Sequence, residues 1–368
     1  MRKKILEWID PFIRVPVIGF DISDQSIKYL AFSSHNGFAF DFFGELEVAD
    51  GIIVNGEIKH EEDLTRTLAS WLSKNKKRMP SFFVVASLPE EKSFLRLIQI
   101  PKMKREDVKN AIKWEIEGNI PLPIGELIYD YEVIEPLDES ADHFDVVLTA
   151  FPKIIVESYV RTLRAATLQP YALELESQAV IRSILPQLDT TLTSVVVDVG
   201  RTRTTFILFN GRAIVLTATI QIGGRIFEEM IAKGLGVDTK SAVEIKKHTG
   251  LNRKEYEGKA FLSLVPSISV LADELQRVIT YYQNQKDAEG FKNAHHMVHS
   301  VFLVGGDANL LGLDTYLASI LKIPVYIADP FATMRDYMKT RVPPITKRDS
   351  LAFSTTIGLA LRGTEKLW

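Results

Sequence analysis

The sequence contains no cysteine. That excludes disulfides, thiolate metal sites and cysteine nucleophiles, and it is compatible with a cytosolic protein. It also lacks a charge excess. Lys and Arg number 44 against 47 Asp and Glu, a formal net charge of −3, so nothing favours bulk electrostatic binding of nucleic acid. No apolar run approaches the roughly 18 residues that a membrane span needs. No low-complexity tract or short-period repeat is present. The first residues, MRKKILEWIDPFIRV, have neither the unbroken apolar stretch nor the small-residue cleavage site of a signal peptide. They read as a short amphipathic helix ended by Asp10-Pro11. Such a helix either rests on an anionic membrane or docks on its own domain.

What the sequence does have is length and a duplication. At 368 residues it exceeds what one hydrophobic core usually serves, so two domains are expected. Its 46% hydrophobic and 25% charged residues are ordinary for a globular protein. Two stretches follow one plan: PVIGFDISDQSIKYLAFS (residues 16–33) and TSVVVDVGRTRTTFILFNGRAIVL (residues 193–216). Each runs apolar, then Asp, then a small polar turn, then apolar again. Around them strand and helix signals mix. Strands are predicted over 17–31, 38–48, 82–87, 94–100, 129–135, 145–151, 192–216, 301–304 and 325–327. Helices are predicted over 61–74, 105–118, 153–167, 173–181, 225–235, 239–249, 262–285, 313–321 and 352–361. The class is α/β or α+β.

A hairpin whose turn presents backbone N–H groups forms an anion nest. An acid at the tip of its first strand can hold a divalent cation, usually through water. Gly223-Gly224 opens a helix and would add N-terminal amides and a positive dipole end. Gly305-Gly306 permits close backbone approach to a base or sugar. Two facing hairpins would clamp a metal–polyphosphate. Each piece alone is weak, since an Asp in an edge turn is usually a turn residue; the order of all four is specific.

That order resembles the actin-like ATPase superfamily, in its FtsA-like branch. Asp21 matches the acid of the first phosphate motif. Asp198-Val199-Gly200 with Thr202, Thr204 and Thr205 matches the second, and residues 304–313 match the adenosine motif. Ile100-Pro101-Lys102-Met103, Lys113-Trp114-Glu115, Ile120-Pro121-Leu122-Pro123 and the tail 357–363 narrow the resemblance to the PilM family of type IV pilus assembly proteins. The resemblance implies an actin-like, ribonuclease H-like two-domain α/β fold. Domain 1 would span 15–190 plus 340–368, with an inserted α+β subdomain at about 82–167. Domain 2 would span 191–339, with a helical subdomain at about 236–299.

It further implies a nucleotide site of Asp21, Ser23, Ser26, Lys28, Asp198, Gly200, Thr202, Thr204, Gly223, Gly224, Lys246, Gly305 and Gly306. Asp21 and Asp198 would hold Mg through water, with ATP as ligand. Glu176 falls where relatives orient the attacking water; otherwise it is a surface glutamate. The sequence departs from the family where nucleotide would sit. Ser23 stands for a Gly, Asp24 and Gln25 for small residues, Val243 for the ribose-binding Glu, and Asp307 for a third Gly. Arg201 and Arg203 replace smaller residues; they add phosphate contacts or point to solvent. ATP binding is therefore expected, and efficient turnover is not. The family role is a cytoplasmic adaptor, peripheral at the inner face of the membrane. It holds the cytoplasmic tail of a PilN-like inner-membrane protein and links it to motor ATPases. Ile120, Leu122 and Ile124, in a proline-stiffened corner placed beside the strand 94–100, are the candidate wall for that peptide; singly, each also reads as ordinary core. The competing readings are an active ATPase or small-molecule kinase, and a relative of the type II secretion protein GspL, which continues into a membrane span that this chain lacks. Oligomeric state is left open.

Overall fold

The computed structural model describes residues 16–32, 40–134, 142–288, 297–334 and 343–363. The N-terminal segment read as an amphipathic helix lies outside these residues, as do residues 38 and 39 of the strand expected over 38–48. The described residues form two compact units. One lies within Met1–Leu185, Phe331–Thr346 and Ser354–Trp368; the other comprises Pro186–Pro330 and Lys347–Phe353.

The first unit opens with β1 (Ile18–Ile22), β2 (Ser26–Phe32) and β3 (Phe40–Glu47), an antiparallel meander. A two-residue hairpin follows, β4 (Ile53–Val54) and β5 (Glu57–Ile58). Its turn residues Asn55 and Gly56 both have positive φ, 49° and 70°, as a type I′ turn requires. Helix α1 (Glu61–Asn75) leads to β6 (Phe83–Leu88), which pairs parallel to β1. Next comes a separate antiparallel sheet of β7 (Phe94–Pro101), β8 (Leu127–Ile134) and β9 (His143–Pro152), with α2 (Arg105–Asn119) between β7 and β8 in the chain. Helix α3 (Lys153–Ala165), β10 (Gln169–Leu175) and α4 (Glu176–Ile184) return to the main sheet, whose order is β10-β6-β1-β2-β3. Residues 173–175, expected to start a helix, instead end β10. Parallel pairing with β6 decides their state, and apolar content alone does not distinguish the two. Similarly β6, which the expected subdomain boundary near 82 assigns to the insertion, lies beside β1 in the main sheet. The separate sheet occupies 94–152.

The second unit repeats the plan. Strands β11 (Thr193–Val199), β12 (Thr204–Phe209) and β13 (Ile214–Ile220) form a meander. Helices α5 (Gly224–Leu235), α6 (Thr239–His248) and α7 (Lys259–Ala288) follow. Then come β14 (Val298–Val304), parallel to β11, α8 (Leu313–Leu321) and β15 (Val325–Ile327), parallel to β14. The order β13-β12-β11-β14-β15 matches the first sheet strand for strand and direction for direction. The apolar runs at 18–22 and 193–199 are the central strands, covered on both faces, which is why they do not alternate. The last described helix is α9 (Ser354–Arg362), which belongs to the first unit and has residues 354–361 buried. No described helix is long and apolar enough to cross a membrane.

Candidate nucleotide site

The duplication puts both acids at equivalent places. Asp21 and Asp198 are each the penultimate residue of their central strand, opposite Lys28 and Thr205 respectively. Beside each runs the parallel strand, β6 or β14. In the first unit Ser87 of β6 donates its hydroxyl to Asp21 Oδ1 at 3.3 Å and accepts from the Ile22 amide at 2.8 Å. In the second unit β14 is followed by Gly305, with φ +89°, and a Cβ there would stand 2.3 Å from Asp198 Oδ1. Only glycine fits so close to that carboxylate with that backbone.

The first hairpin turn is closed on itself. Both the amide and the hydroxyl of Ser23 donate to the Ser26 carbonyl at 2.9 Å. The Asp24 carboxylate accepts from the amides of Asn55 and Gly56 at 3.2 and 2.9 Å, so it serves the β4–β5 turn and is not aimed at a phosphate. Lys28 lies 3.4 Å from the Ser26 hydroxyl and 3.4 Å from Glu45. Glu176 is the first residue of α4 and is buried, not a surface glutamate.

In the second unit the turn Gly200–Arg203 closes through the Gly200 amide on the Arg203 carbonyl, 2.9 Å. The start of α5 packs onto this turn. The amides of Gly224 and Arg225 donate to the carbonyls of Gly200 and Arg201 at 3.0 and 2.8 Å, and Thr204 donates its hydroxyl to the Ile222 carbonyl at 2.7 Å. The Gly223-Gly224 pair does permit close approach, but what approaches is the chain's own turn. Arg203 is buried. The exposed Arg201 points neither to solvent alone nor to an open nest; it pairs with Glu228 at 3.2 Å.

Glu228 belongs to a buried charge cluster. It is 2% exposed and accepts from Lys246 Nζ at 2.7 Å. Lys246, 8% exposed, also donates to Asp307 Oδ1. Burial holds the Asp307 carboxyl above the usual carboxylate range; Lys246 opposes that rise, Glu228 adds to it and Arg201 opposes it. The Asp307 carboxylate lies directly over the first turn of α5, where a Cβ on Gly224 would fall 2.0 Å from its Oδ2. The position favours an anion, since the N-terminal end of a helix carries partial positive charge.

The residue types here are those of a nucleotide site: a glycine-containing hairpin turn, a Gly-Gly turn after a strand, an ammonium and a helix N-terminus. In this arrangement the ammonium is doubly paired and two of the helix amides are spent. Among the described residues no group of three or more His, Cys, Asp or Glu is placed to hold a metal ion.

The sequence profile of the family described as type IV pilus assembly protein PilM matches residues 19–364. The chain belongs to that family. Among solved structures it is similar to the PilM–PilN type IV pilus biogenesis complex, with 23% identity, 96% of this chain and 100% of that chain covered, and a TM-score of 0.77. It is also similar to the ethanolamine utilization protein EutJ from Carboxydothermus hydrogenoformans (15%, 94% and 89%, TM-score 0.55) and to MreB5 of Spiroplasma citri bound to ADP (13%, 93% and 94%, TM-score 0.53). At these identities the structural likenesses establish the fold, an actin-like one. The fold that the family resemblance implied is the fold found.

In this PilM-family member the candidate peptide wall divides. Ile120 is 7% exposed and belongs to the core beneath α2, with Ile112, Ile116, Leu127 and Phe144. Leu122 and Ile124 are half-buried against that core. The corner leads into β8, which β9 separates from β7 in the sheet, and Phe94, Ile98 and Ile100 of β7 belong to the same core as Ile120, Leu122 and Ile124. Three site residues escaped the sequence. Ser87 steers Asp21. Glu90, 3% exposed, accepts from the Ser177 amide and hydroxyl at 3.1 and 3.0 Å, fixing the start of α4. Glu228 had one legible signal: it is a charge flanked by Phe227 and Ile231 on the buried side of α5.

Proposed function

We propose that this chain is a cytoplasmic type IV pilus assembly adaptor that holds the short tail of a PilN-like inner-membrane protein on its inserted sheet, with an adenine-nucleotide site as a regulatory element. Family membership supports the pilus role, and the PilM–PilN complex supports the partner. The observation that carries the peptide reading is the inserted sheet itself. Among the described residues its two outer strands, β7 and β8, each pair on one side only, with β9. An extended peptide can add main-chain hydrogen bonds to such an edge and place alternate side chains against a wall. Pro121 and Pro123 stiffen the corner before β8 and remove two N–H donors, which leaves Leu122 and Ile124 as a rigid apolar wall. Fluorescence anisotropy with the PilN tail from the same genome tests this. We expect binding in the micromolar range or tighter, weakened at least tenfold by Leu122→Asp while the circular dichroism spectrum is retained. A tail that binds no better than its scrambled control overturns the reading.

The nucleotide element is supported by the duplicated acid-tipped hairpins, by the glycine turns and by the ADP bound in MreB5. Asp198, Gly305 and Lys246 would hold the nucleotide on the second unit, with Mg on Asp198 through water; Asp21 and Lys28 are the corresponding residues of the first unit's own hairpin. Bound ATP would supply charge to tension the hairpin turns; the residues present do not promote its cleavage. Ser23 is tied to Ser26, Asp24 is committed to the β4–β5 turn, and Glu176 is buried at a helix start. We expect hydrolysis slower than about one turnover per minute, below the roughly 1 per second at the low end for enzymes. A phosphate-release assay giving tens of turnovers per minute, abolished by Glu176→Ala, would favour an active ATPase instead.

A further inference from the structure

We propose that Asp307 is a tethered competitor for the adenine-nucleotide site, its carboxylate covering the first turn of α5 and engaging the ammonium of Lys246. This rests on the nucleotide reading above and adds to it what regulates that site. Three facts within one unit carry it.

The first is position. The carboxylate lies where a Cβ on Gly224 would be, 2.0 to 2.2 Å from all three of its heavy atoms. It therefore fills the space that the Gly223-Gly224 turn keeps free of side chains. The second is charge. Lys246 is the cation placed in this cluster by α6, and both Glu228 and Asp307 accept from it. Together with Arg201 on Glu228, two cations face two carboxylates, leaving no surplus positive charge for an incoming anion. The third is the helix end. Its first two amides already donate to the Gly200 and Arg201 carbonyls, so attraction for a phosphate rests on the dipole, which the Asp307 carboxylate already meets. A nucleotide must move this carboxylate before it can reach Lys246, and it brings negative charge to where negative charge already sits. Asp307 lies in a short turn, Gly306–Asn309.

The test is binding, not turnover. Titrate the full chain, stripped of nucleotide, with a fluorescent ADP analogue, and follow the melting temperature with plain ADP in parallel, with and without Mg. Compare wild type, Asp307→Ala, Asp307→Asn and the double variant Asp307→Ala with Lys246→Met. Asp307→Ala should bind at least tenfold more tightly than wild type, with a larger ligand-induced rise in melting temperature. The double variant should lose that gain. Asp307→Asn, which removes the charge and keeps the shape, should lie between, and serves as the reading if the alanine variant does not fold. Wild type that binds as tightly as both Asp307 variants overturns the competitor while leaving the nucleotide reading intact. No binding by any of the four proteins overturns the nucleotide reading and the competitor with it.

Discussion

Gly358→Ala lowers the stability of the first unit by about 3 kcal/mol or more, the upper end for overpacking in a close-packed core. A Cβ at this position would lie 1.8 Å from the Ala179 carbonyl oxygen and 2.4 Å from its carbon. These are backbone atoms of α4, so no rotamer change relieves the contact. Helix α9 cannot simply retreat. On another side its backbone lies against β1, where a Cβ on Gly19 would be 2.6 Å from the Thr356 carbonyl and 2.7 Å from the Ala360 amide. Arg182 adds a tie, donating to the Gly358 carbonyl at 3.2 Å while pairing with the buried Glu174. The same substitution at Gly118 is the control. Gly118 lies in α2, and a Cβ added there would meet nothing within 4 Å. Gly118→Ala is therefore stabilising by about 0.5–1 kcal/mol through helix propensity. Chemical denaturation followed by circular dichroism checks both signs. A Gly358→Ala protein with the wild-type midpoint would show that α9 does not pack as described.

Lys246→Met destabilises the second unit by about 3–5 kcal/mol at neutral pH, the usual cost of removing one member of a buried ion cluster. Methionine keeps most of the apolar stem, so lost packing contributes little. What remains is Glu228, 2% exposed and paired with Arg201, and Asp307 without its ammonium. The sign of the pH dependence follows from Asp307. Its carboxyl is already raised by burial, and losing Lys246 raises it further. The native state then binds a proton at a pH where the unfolded chain does not, so stability falls as pH rises through the native value and is regained on acidification. The variant's deficit should therefore shrink between neutral pH and the ordinary carboxylate range. Adding Asp307→Asn to Lys246→Met should recover part of the loss at neutral pH. A Lys246→Met protein within about 1 kcal/mol of wild type, with an unchanged pH profile, would exclude the cluster.

Much of this protein is legible without coordinates, for a physical reason. A strand buried on both faces must be continuously apolar, so an acid at its tip stands out. Two such strands, with glycine turns in a fixed order after the second, leave few alternatives to a duplicated sheet. Local chemistry also fixes the stops around Pro121 and Pro123, whereas the hairpin turn at Asn55-Gly56, where both residues take positive φ, goes unread until the strands beside it pair. What the sequence does not carry is the partner of each polar side chain. Asp24 reads as a phosphate-loop residue until the β4–β5 turn, about thirty residues on, claims its carboxylate. Arg201 reads as a phosphate contact or a solvent-facing charge until Glu228 arrives from α5. Residues 173–175 read as helix until β6 pairs with them. Ile120 reads either as part of a peptide wall or as ordinary core until α2 folds over it. Asp307 reads only as a missing glycine, yet in the folded chain it covers Gly224 and shares Lys246 with Glu228. Apolar pattern and turn type are local properties and survive in one dimension. Ion pairs and edge-strand neighbours join residues far apart in the chain, and tertiary packing alone decides which charge meets which.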